Sequence, residues 1–444
     1  MNVTNEHVFF RGISDTEGPI IEHASGVYYF DQSGRRYIDG LSGVGNVCIG
    51  HGVKEIIEVA TQQMERVSFA HPLQWQNEPQ MRLAQTIASM APAGLSKVFL
   101  CSGGSEATDT AIKMVRQYHV ERGRTAKYKF IGRWHSYHGN TLGALAASGM
   151  VIRRAFFAPL LVDFPHIAAC NCYHCPFAKS YPACNVACAH ELEAEVLRQG
   201  PENVAAFIAE PLVGTAGGAL GAPPEYFRII RDICDRYDML LVVDEVITGF
   251  GRTGRNFAID HWGVTPDLIC TGKGMSGGYT PLGGVIARSE ILEVFHRGHG
   301  FEHGYTYGGN PLSCAVGNAV LEYIIRHRLV ERVAALEGHL FGTARSLESL
   351  DIVGDVRGKG FMLGVELVAD KASRRPFEPS ANVANQVVKE AARRGLIVGR
   401  FWGQIDGLHG EGIMLMPAYV CDENTLTEIV DILKAAILEV QARI

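Results

Sequence analysis

Short apolar runs alternate with amphipathic stretches through the middle of the chain. The runs are short and bounded by turn residues, which predicts strands, at residues 97–101, 129–132, 204–209, 240–244, 268–271 and 282–287. Between them, residues 55–90 and 106–122 carry apolar side chains at helical spacing. Strands that alternate with helices predict an α/β fold, with a mostly parallel sheet covered by helices.

The two ends of the chain have a different pattern. Residues 26–31 and 35–40 are rich in β-forming side chains and are separated by Gln32, Ser33 and Gly34, which predicts a hairpin. After residue 325 we expect a long helix, a strand at 361–366, a helix at 381–394 and a terminal helix from Asn424. The predicted organisation is therefore a large domain over residues 55–325, with residues 1–54 and 326–444 forming a smaller α+β domain.

Composition narrows the class of protein. A chain of 444 residues with 47% hydrophobic and 20% charged residues suits a globular protein of two domains. No apolar run approaches the ~18–20 residues that span a membrane. A net charge of −6 gives no excess of positive charge for binding nucleic acid. The first residues lack the basic and apolar regions of a signal peptide, so a cytoplasmic location with free thiols is expected.

An acid and a lysine follow two of the predicted strands. The strand at 240–244 ends in Asp244, and the strand at 268–271 is followed by Lys273 between two glycines. Ligands of open α/β sheets bind beyond the carboxyl ends of the strands, so both side chains are expected in one site. Pyridoxal phosphate chemistry needs this pair, because an acid holds the pyridinium nitrogen protonated and a lysine forms the Schiff base. Taken singly, Asp244 is better explained as a turn cap and Lys273 as a surface cation, and only the surrounding sequence reverses that preference.

A glycine-rich turn is a second candidate for cofactor binding. Ser102-Gly-Gly-Ser-Glu-Ala107 follows a predicted strand and opens a predicted helix. Free amides at a helix N-terminus bind phosphate, so Gly104 and Ser105 are the predicted contacts. Such a turn also occurs where the chain only reverses direction.

Two long motifs carry a family resemblance. Asp-Glu-Val-Ile-Thr-Gly-Phe-Gly-Arg-Thr-Gly begins at Asp244, and Lys-Gly-Met-Ser-Gly-Gly-Tyr-Thr-Pro-Leu-Gly-Gly begins at Lys273. Together they resemble the class III aminotransferases, a family with the pyridoxal phosphate fold type I, and the resemblance covers essentially the whole chain. It implies a transaminase (EC 2.6.1.-) that works by a ping-pong mechanism, with Lys273 as the Schiff-base lysine and proton shuttle and Asp244 on the ring nitrogen.

Further motifs extend the resemblance to the rest of the cofactor site. Tyr137, His138 and Gly139 resemble the family's Tyr-His-Gly motif, in which the tyrosine stacks on one face of the pyridine ring and Val246 would cover the other. Ordinary core packing is the alternative for Tyr137. The glycine-rich turn resembles the family's phosphate cup, with Gly103 where a serine is common.

Two other residues complete the set that the resemblance implies. Glu210 lies in a Glu-Pro element and is expected near Asp244 or the substrate amine. Thr306 lies in a segment that resembles the one donating a threonine to the phosphate of the neighbouring subunit. The resemblance therefore implies a homodimer with shared active sites.

Substrate preference is predicted from two positions near the C-terminus. Family members that act on ornithine-like substrates carry an arginine three residues before a proline, where this chain has Met414, so their fixed carboxylate clamp is missing. Members that act on ω-amines use a mobile arginine after a Gly-Leu-Ile element, and Arg400 is one residue displaced from that position. An arginine that swings in for a keto acid and out for an apolar amine suits an ω-amine:pyruvate transaminase. The alternative for Arg400 is a solvated loop cation.

A cysteine-rich insertion and two rival functions remain open. The insertion at residues 168–190 has spacings that can ligate zinc, at Cys170, Cys172, Cys175, Cys184 and Cys188. No metal is predicted, because packing of a thiol-rich loop explains the same cluster. The rivals to a transaminase are a pyridoxal phosphate decarboxylase or aminomutase of the same fold, and a non-catalytic zinc-stapled scaffold.

Overall fold

The computed structural model describes residues 7–9 and 19–444. Its largest sheet runs, in spatial order, through Leu95–Cys101, Gly283–Arg288, Leu268–Thr271, Leu240–Asp244, Val204–Ala209, Lys129–Arg133 and His166–Ile167. The last five strands are parallel to one another, and only Gly283–Arg288 is antiparallel to its two neighbours. The sequence-based prediction of a mostly parallel sheet is confirmed.

The central strands are apolar because both faces of the sheet are covered. Every residue of Val204–Ala209, Leu240–Asp244 and Leu268–Thr271 is buried. The α-helices of residues 42–326 are Ser42–Gly45, Lys54–Arg66, Glu78–Met90, Gly104–Glu121, Leu142–Ala147, Val151–Arg154, Ala187–Gln199, Tyr226–Arg236, Ser289–Arg297 and Pro311–Arg326. Short 3-10 turns lie at Ala158–Leu160, Ala258–His261, Lys273–Met275, Arg345–Ser349 and Pro379–Ala381.

Smaller sheets join the two ends of the chain. Ile21–Ser25, Tyr28–Asp31 and Arg36–Asp39 form an antiparallel sheet, which Leu396–Ile397 extends by pairing in parallel with Arg36–Asp39. A second sheet runs through Val353–Lys359, Met362–Leu367, Glu411–Leu415 and Gly399–Trp402, and Leu212–Val213 pairs with Leu220–Gly221. The C-terminal helices are Leu329–Ala344, Val383–Arg393 and Glu423–Gln441. The N-terminal hairpin thus shares a sheet with a C-terminal strand, and the domain boundaries themselves stay a prediction.

The structure differs from the predicted elements where tertiary packing decides. The amphipathic stretch at 55–90 is two helices, and the second begins after Asn77, whose side chain accepts a hydrogen bond from the Gln80 amide. The strands Val353–Lys359 and Gly399–Trp402 were not predicted, because glycines and charged residues interrupt their apolar pattern. Among residues 7–9 and 19–444, no helix is long and apolar enough to cross a membrane.

Candidate active site

Asp244 and Lys273 lie at the same edge of the large sheet. The strands Leu240–Asp244 and Leu268–Thr271 are parallel neighbours, and Asp244 is in register with Cys270. Lys273 begins a 3-10 turn with a φ of 42°, a left-handed backbone conformation that strains a residue other than glycine. Strain of this kind persists where the surrounding structure holds the residue, which is common at functional sites.

The carboxylate of Asp244 is held in place by a histidine and a backbone amide. Its Oδ2 lies 2.7 Å from Nδ1 of His138, and both side chains are buried. The amide of Val246 donates to Oδ1 at 3.0 Å. Nε2 of His138 is buried and has no hydrogen-bond partner within the described residues. These two contacts therefore hold the Asp244 carboxylate at the same edge of the sheet where Lys273 lies.

Glu210 adds a second buried acid to this cluster. Its carboxylate accepts hydrogen bonds from the amides of Tyr137 at 3.0 Å and Gly214 at 2.8 Å. Burial raises the pKa of Glu210 and the charge of Asp244 raises it further, whereas His138 and the two amides oppose the shift. Glu210 therefore lies close enough to Asp244 for the two buried carboxylates to interact electrostatically.

Removal from bulk water makes Lys273 unusually acidic. Desolvation lowers its pKa from 10.5 to about 8, and the buried cation Arg252 acts in the same direction. Asp244 and Glu210 oppose this shift, because a nearby negative charge stabilises the protonated amine. A larger fraction of Lys273 is therefore neutral near neutral pH than is true of a surface lysine.

The lowered pKa predicts how the cofactor-free protein reacts with an aldehyde. Only the neutral amine is nucleophilic, so the rate at Lys273 is expected to rise about tenfold per pH unit below pH 8 and to level off above it. The measurement is the rate of borohydride-trapped labelling by pyridoxal phosphate between pH 6 and about 10. Subtracting the rate of a Lys273→Ala variant removes labelling of surface lysines. A rate that still climbs at pH 10 would contradict the lowered pKa.

The glycine-rich turn packs directly against the residues around Asp244. The helix Gly104–Glu121 begins there without a side-chain cap, so its first amides are available to a ligand. A Cβ at Gly104 would lie 2.8 Å from Cγ1 of Val246, and a Cβ at Gly139 would lie 2.6 Å from Oγ of Ser105. The Ser105 hydroxyl also accepts the amide of Asn140 at 3.1 Å. Gly104, Ser105, Gly139 and Val246 are therefore brought into one cluster.

Tyr137 lies beside this cluster. Its ring is half-buried, with the guanidinium of Arg153 at 5.1 Å from the ring centroid, and its amide is bound by Glu210. It packs against a small apolar cluster of Met150, Val213, Ala216 and Leu220, which Trp402 also contacts. The ring of Tyr137 is therefore only partly enclosed by this apolar cluster.

The other residues predicted for the site are Thr306, Arg400 and Met414. Thr306 is exposed in the single chain. Arg400 and Met414 lie on neighbouring antiparallel strands, but Met414 is paired with Gly399, so the two side chains point to opposite faces. Met414 is fully buried with Phe401 and Leu212, whereas Arg400 is exposed. Arg400 lies on the strand Gly399–Trp402, not on a loop.

The cysteine-rich insertion forms no metal site among the described residues. No group of three or more His, Cys, Asp or Glu side chains there could hold a metal ion, and the eleven cysteines are free thiols. Cys170 is buried, Cys172 is exposed, and Cys175, Cys184 and Cys188 are partly exposed.

The sequence analysis missed two side chains that support the site. Arg133 is fully buried, donates to the carbonyl oxygen of Glu210 and contacts Sγ of Cys170 at 3.2 Å. Only its position at the end of a predicted strand could have indicated it. Arg252 lies in the motif that begins at Asp244, and its guanidinium is 4.7 Å from the ring centroid of Tyr419.

Comparison with known proteins identifies the family. A family model described as Aminotransferase class-III matches residues 13–437. The uncharacterized aminotransferase YodT of Bacillus subtilis (strain 168) is 36% identical over 427 residues, which cover 95% of this chain and 96% of YodT. A putrescine–pyruvate aminotransferase of Pseudomonas aeruginosa is 35% identical, covering 98% of this chain and 94% of its own length. The crystal structure of a thermostable (S)-enantioselective omega-transaminase from Thermomicrobium roseum has a TM-score of 0.89 at 36% identity, covering 95% of this chain and 93% of that chain.

The chain belongs to the class III aminotransferases, and its cofactor is pyridoxal 5'-phosphate. The predicted family, enzyme class, fold type and cofactor are confirmed. The residues fit this cofactor, because a buried carboxylate, a lysine of lowered pKa and an uncapped helix N-terminus lie together at one edge of the sheet. A side chain at Gly104 would collide with Val246, so the glycine is needed where the backbone packs this closely.

Proposed function

We propose that this aminotransferase moves an amino group from an ω-amine or ω-amino acid to a keto acid such as pyruvate. The observation that supports the amino-transfer step is a buried cluster at the strand ends, formed by Asp244, His138, Glu210 and Lys273. When bound, pyridoxal phosphate supplies the electron sink and carries the amino group between donor and acceptor. The relatives described as a putrescine–pyruvate aminotransferase and an omega-transaminase support this substrate class.

Each residue of the cluster has a distinct role in the proposal. Nζ of Lys273 would hold the cofactor covalently, and after the incoming amine displaces it, the freed Nζ would take the proton from the substrate carbon and pass it to the cofactor carbon. Asp244, which His138 orients, would supply the carboxylate that holds the ring nitrogen protonated. Tyr137 and Val246 would cover the two faces of the ring, and the amides of Gly104 and Ser105 would bind the phosphate. His138 and Gly139 complete the pocket wall beside Ser105.

Arg400 is the proposed contact of the keto acid carboxylate. Met414 is apolar and buried, so the position of the fixed clamp offers no charge, whereas Arg400 is exposed and carries a planar guanidinium that binds carboxylates in a bidentate manner. An apolar amine needs no such charge, so the two substrates of the ping-pong cycle differ in their need for Arg400.

An Arg400→Ala variant is expected to raise the KM for pyruvate by roughly 10–100-fold, because a charge-assisted hydrogen-bond pair is lost. The KM for an apolar amine such as phenylethylamine should change little. Initial rates with each substrate varied in turn give both constants, and Arg393→Ala, an exposed arginine on the helix Val383–Arg393, is the matched control. Unchanged KM for pyruvate would contradict the assignment.

The amino-transfer half-reaction is tested without any acceptor. Adding candidate amines to the holoenzyme is expected to remove the visible absorbance band of the bound cofactor and to produce a near-ultraviolet band, and the amines that do so define the donor class. Release of carbon dioxide from an α,α-disubstituted amino acid would point to a decarboxylase instead. Turnover without any keto acid would point to an aminomutase.

The proposal includes a homodimer with shared active sites. Thr306 is exposed in the single chain, which suits a side chain that completes the phosphate site of a second copy. If each site uses Lys273 of one chain and Thr306 of the other, co-expressed Lys273→Ala and Thr306→Ala chains form mixed dimers in which one site carries both substitutions. The second site of such a dimer is then intact. We expect such dimers, purified by two tags, to bind the cofactor at one site with wild-type affinity. If Thr306 serves its own subunit, every working site carries the Thr306→Ala defect.

A further inference from the structure

We propose that Trp402 and Asn382 hold the guanidinium of Arg400 in a parked position and thereby set the balance between keto acid and amine substrates. The inference rests on the proposed role of Arg400 as the carboxylate contact. It assigns Trp402 and Asn382 as positioning residues, which act on substrate choice through Arg400.

The parked position is defined by two contacts. Arg400 and Trp402 are two apart on the strand Gly399–Trp402, so their side chains share one face. The Arg400 guanidinium lies 4.9 Å from the Trp402 ring centroid, and its Nη1 donates to Oδ1 of Asn382 at 3.1 Å. The intervening Phe401 points to the opposite face and is fully buried, which fixes the strand. Arg400 therefore occupies a defined place although it is exposed.

Asn382, the hydrogen-bond acceptor for Arg400 in the parked position, is held rigidly by its surroundings. Asn382 has a φ of 47° and joins the 3-10 turn Pro379–Ala381 to the helix Val383–Arg393. Glu411 accepts the first helix amides, from Val383 at 3.1 Å and Ala384 at 2.8 Å. Its carboxylate is close enough that Arg400 lowers its pKa against the rise caused by burial. A neutral acceptor and a nearby negative charge together favour a guanidinium at this spot.

Trp402 connects the parked arginine to the cofactor side of the molecule. It packs against the same apolar cluster, of Met150, Val213, Ala216 and Leu220, as Tyr137. Arg400, Trp402 and Asn382 also line a cleft of about 300 Å³, whose other walls include Ile152, Phe377 and Leu408. Through Trp402, the parked guanidinium is therefore linked to the apolar cluster against which Tyr137 also packs.

The two contacts are strong enough to favour the parked position of Arg400 but weak enough for Arg400 to leave it. A cation–π contact at an exposed site and one hydrogen bond each shift an equilibrium by a few-fold to about tenfold. When only a fraction of the molecules has Arg400 released, the apparent dissociation constant for the keto acid rises in inverse proportion to that fraction. An apolar amine, which does not need the guanidinium, escapes this cost.

The test is a set of steady-state measurements on the holoenzyme. Trp402→Leu and Asn382→Ala are each expected to lower the KM for pyruvate about three- to tenfold, because Arg400 is released. The KM for phenylethylamine should stay constant or rise. Trp402→Tyr, which keeps an aromatic face for the guanidinium, is expected to stay near the wild-type value for pyruvate.

The same substitutions in an Arg400→Ala background separate parking from a merely structural role. There Trp402→Leu and Asn382→Ala should leave the KM for pyruvate unchanged, since no guanidinium remains to be released. The proposal would be overturned if the KM for pyruvate changed by a similar factor in both backgrounds. It would also be overturned if the KM for pyruvate rose in the variants that keep Arg400 but not in those that carry Arg400→Ala. An Arg400→Ala variant that binds pyruvate normally would overturn the role of Arg400 and the parking with it. An effect of Arg400→Ala without any effect of Trp402→Leu or Asn382→Ala would overturn the parking alone.

Discussion

Replacing Lys273 by alanine is expected to lower the rate of amino transfer by about 10⁴-fold or more, since the variant loses both a nucleophile and an acid–base group. The lysine lies at the sheet edge beside Asp244 and Glu210, and its pKa of about 8 leaves a larger fraction of it neutral near neutral pH than a surface lysine has. The measurement is the single-turnover rate of the cofactor-loaded variant with a donor amine.

A small amine added to the Lys273→Ala variant tests the chemistry separately from folding. Methylamine can take the place of Nζ in the cavity left by the alanine, so partial recovery of the rate that depends on its concentration is expected. Lys54→Ala, which removes an exposed lysine on the helix Lys54–Arg66, is the matched control and should keep the wild-type rate. A Lys273→Ala variant that still transfers amino groups at a tenth of the normal rate would contradict the central assignment.

Replacing Asp244 by asparagine is expected to lower the rate of transfer by about 10²–10³-fold, the usual loss when one preorganised electrostatic contact is removed. The amide keeps the shape of the side chain but not the negative charge that His138 and the Val246 amide orient. Single-turnover rates with one donor amine measure the loss, and the visible spectrum reports whether the cofactor is still bound.

Asp267→Asn is the matched control for the loss of a buried carboxylate. Asp267 lies just before the strand Leu268–Thr271, at its opposite end from Lys273, and pairs with Arg231 at 2.7 Å and Arg288 at 3.2 Å. Its replacement should lower the unfolding temperature while leaving the transfer rate of the folded protein close to normal. Equal losses of rate in the two variants would mean that Asp244 acts through stability alone.

The pattern of neighbouring residues in the sequence was enough to predict the main features of the sheet. The strands Val204–Ala209, Leu240–Asp244 and Leu268–Thr271 were predicted to the residue, because a strand covered on both faces must be apolar throughout. Asp244 and Lys273 were predicted to share a site for a related reason, since parallel strands end at the same edge. These features depend on a few neighbouring residues, so the sequence displays them directly.

Contacts between distant segments were decided only by the tertiary structure. The pairing of His138 with Asp244 joins residues 106 positions apart, and the stacking of Arg400 on Trp402 depends on a strand that its own glycine-containing pattern did not predict. No local sequence pattern indicated that Arg133 is buried and donates a hydrogen bond to the carbonyl oxygen of Glu210. By itself the sequence determined the family, the cofactor and the strand ends that carry the acid and the lysine. The hydrogen-bond partners, the pKa of Lys273 and the place of Arg400 came from the fold, because they depend on burial and on neighbours that only packing brings together.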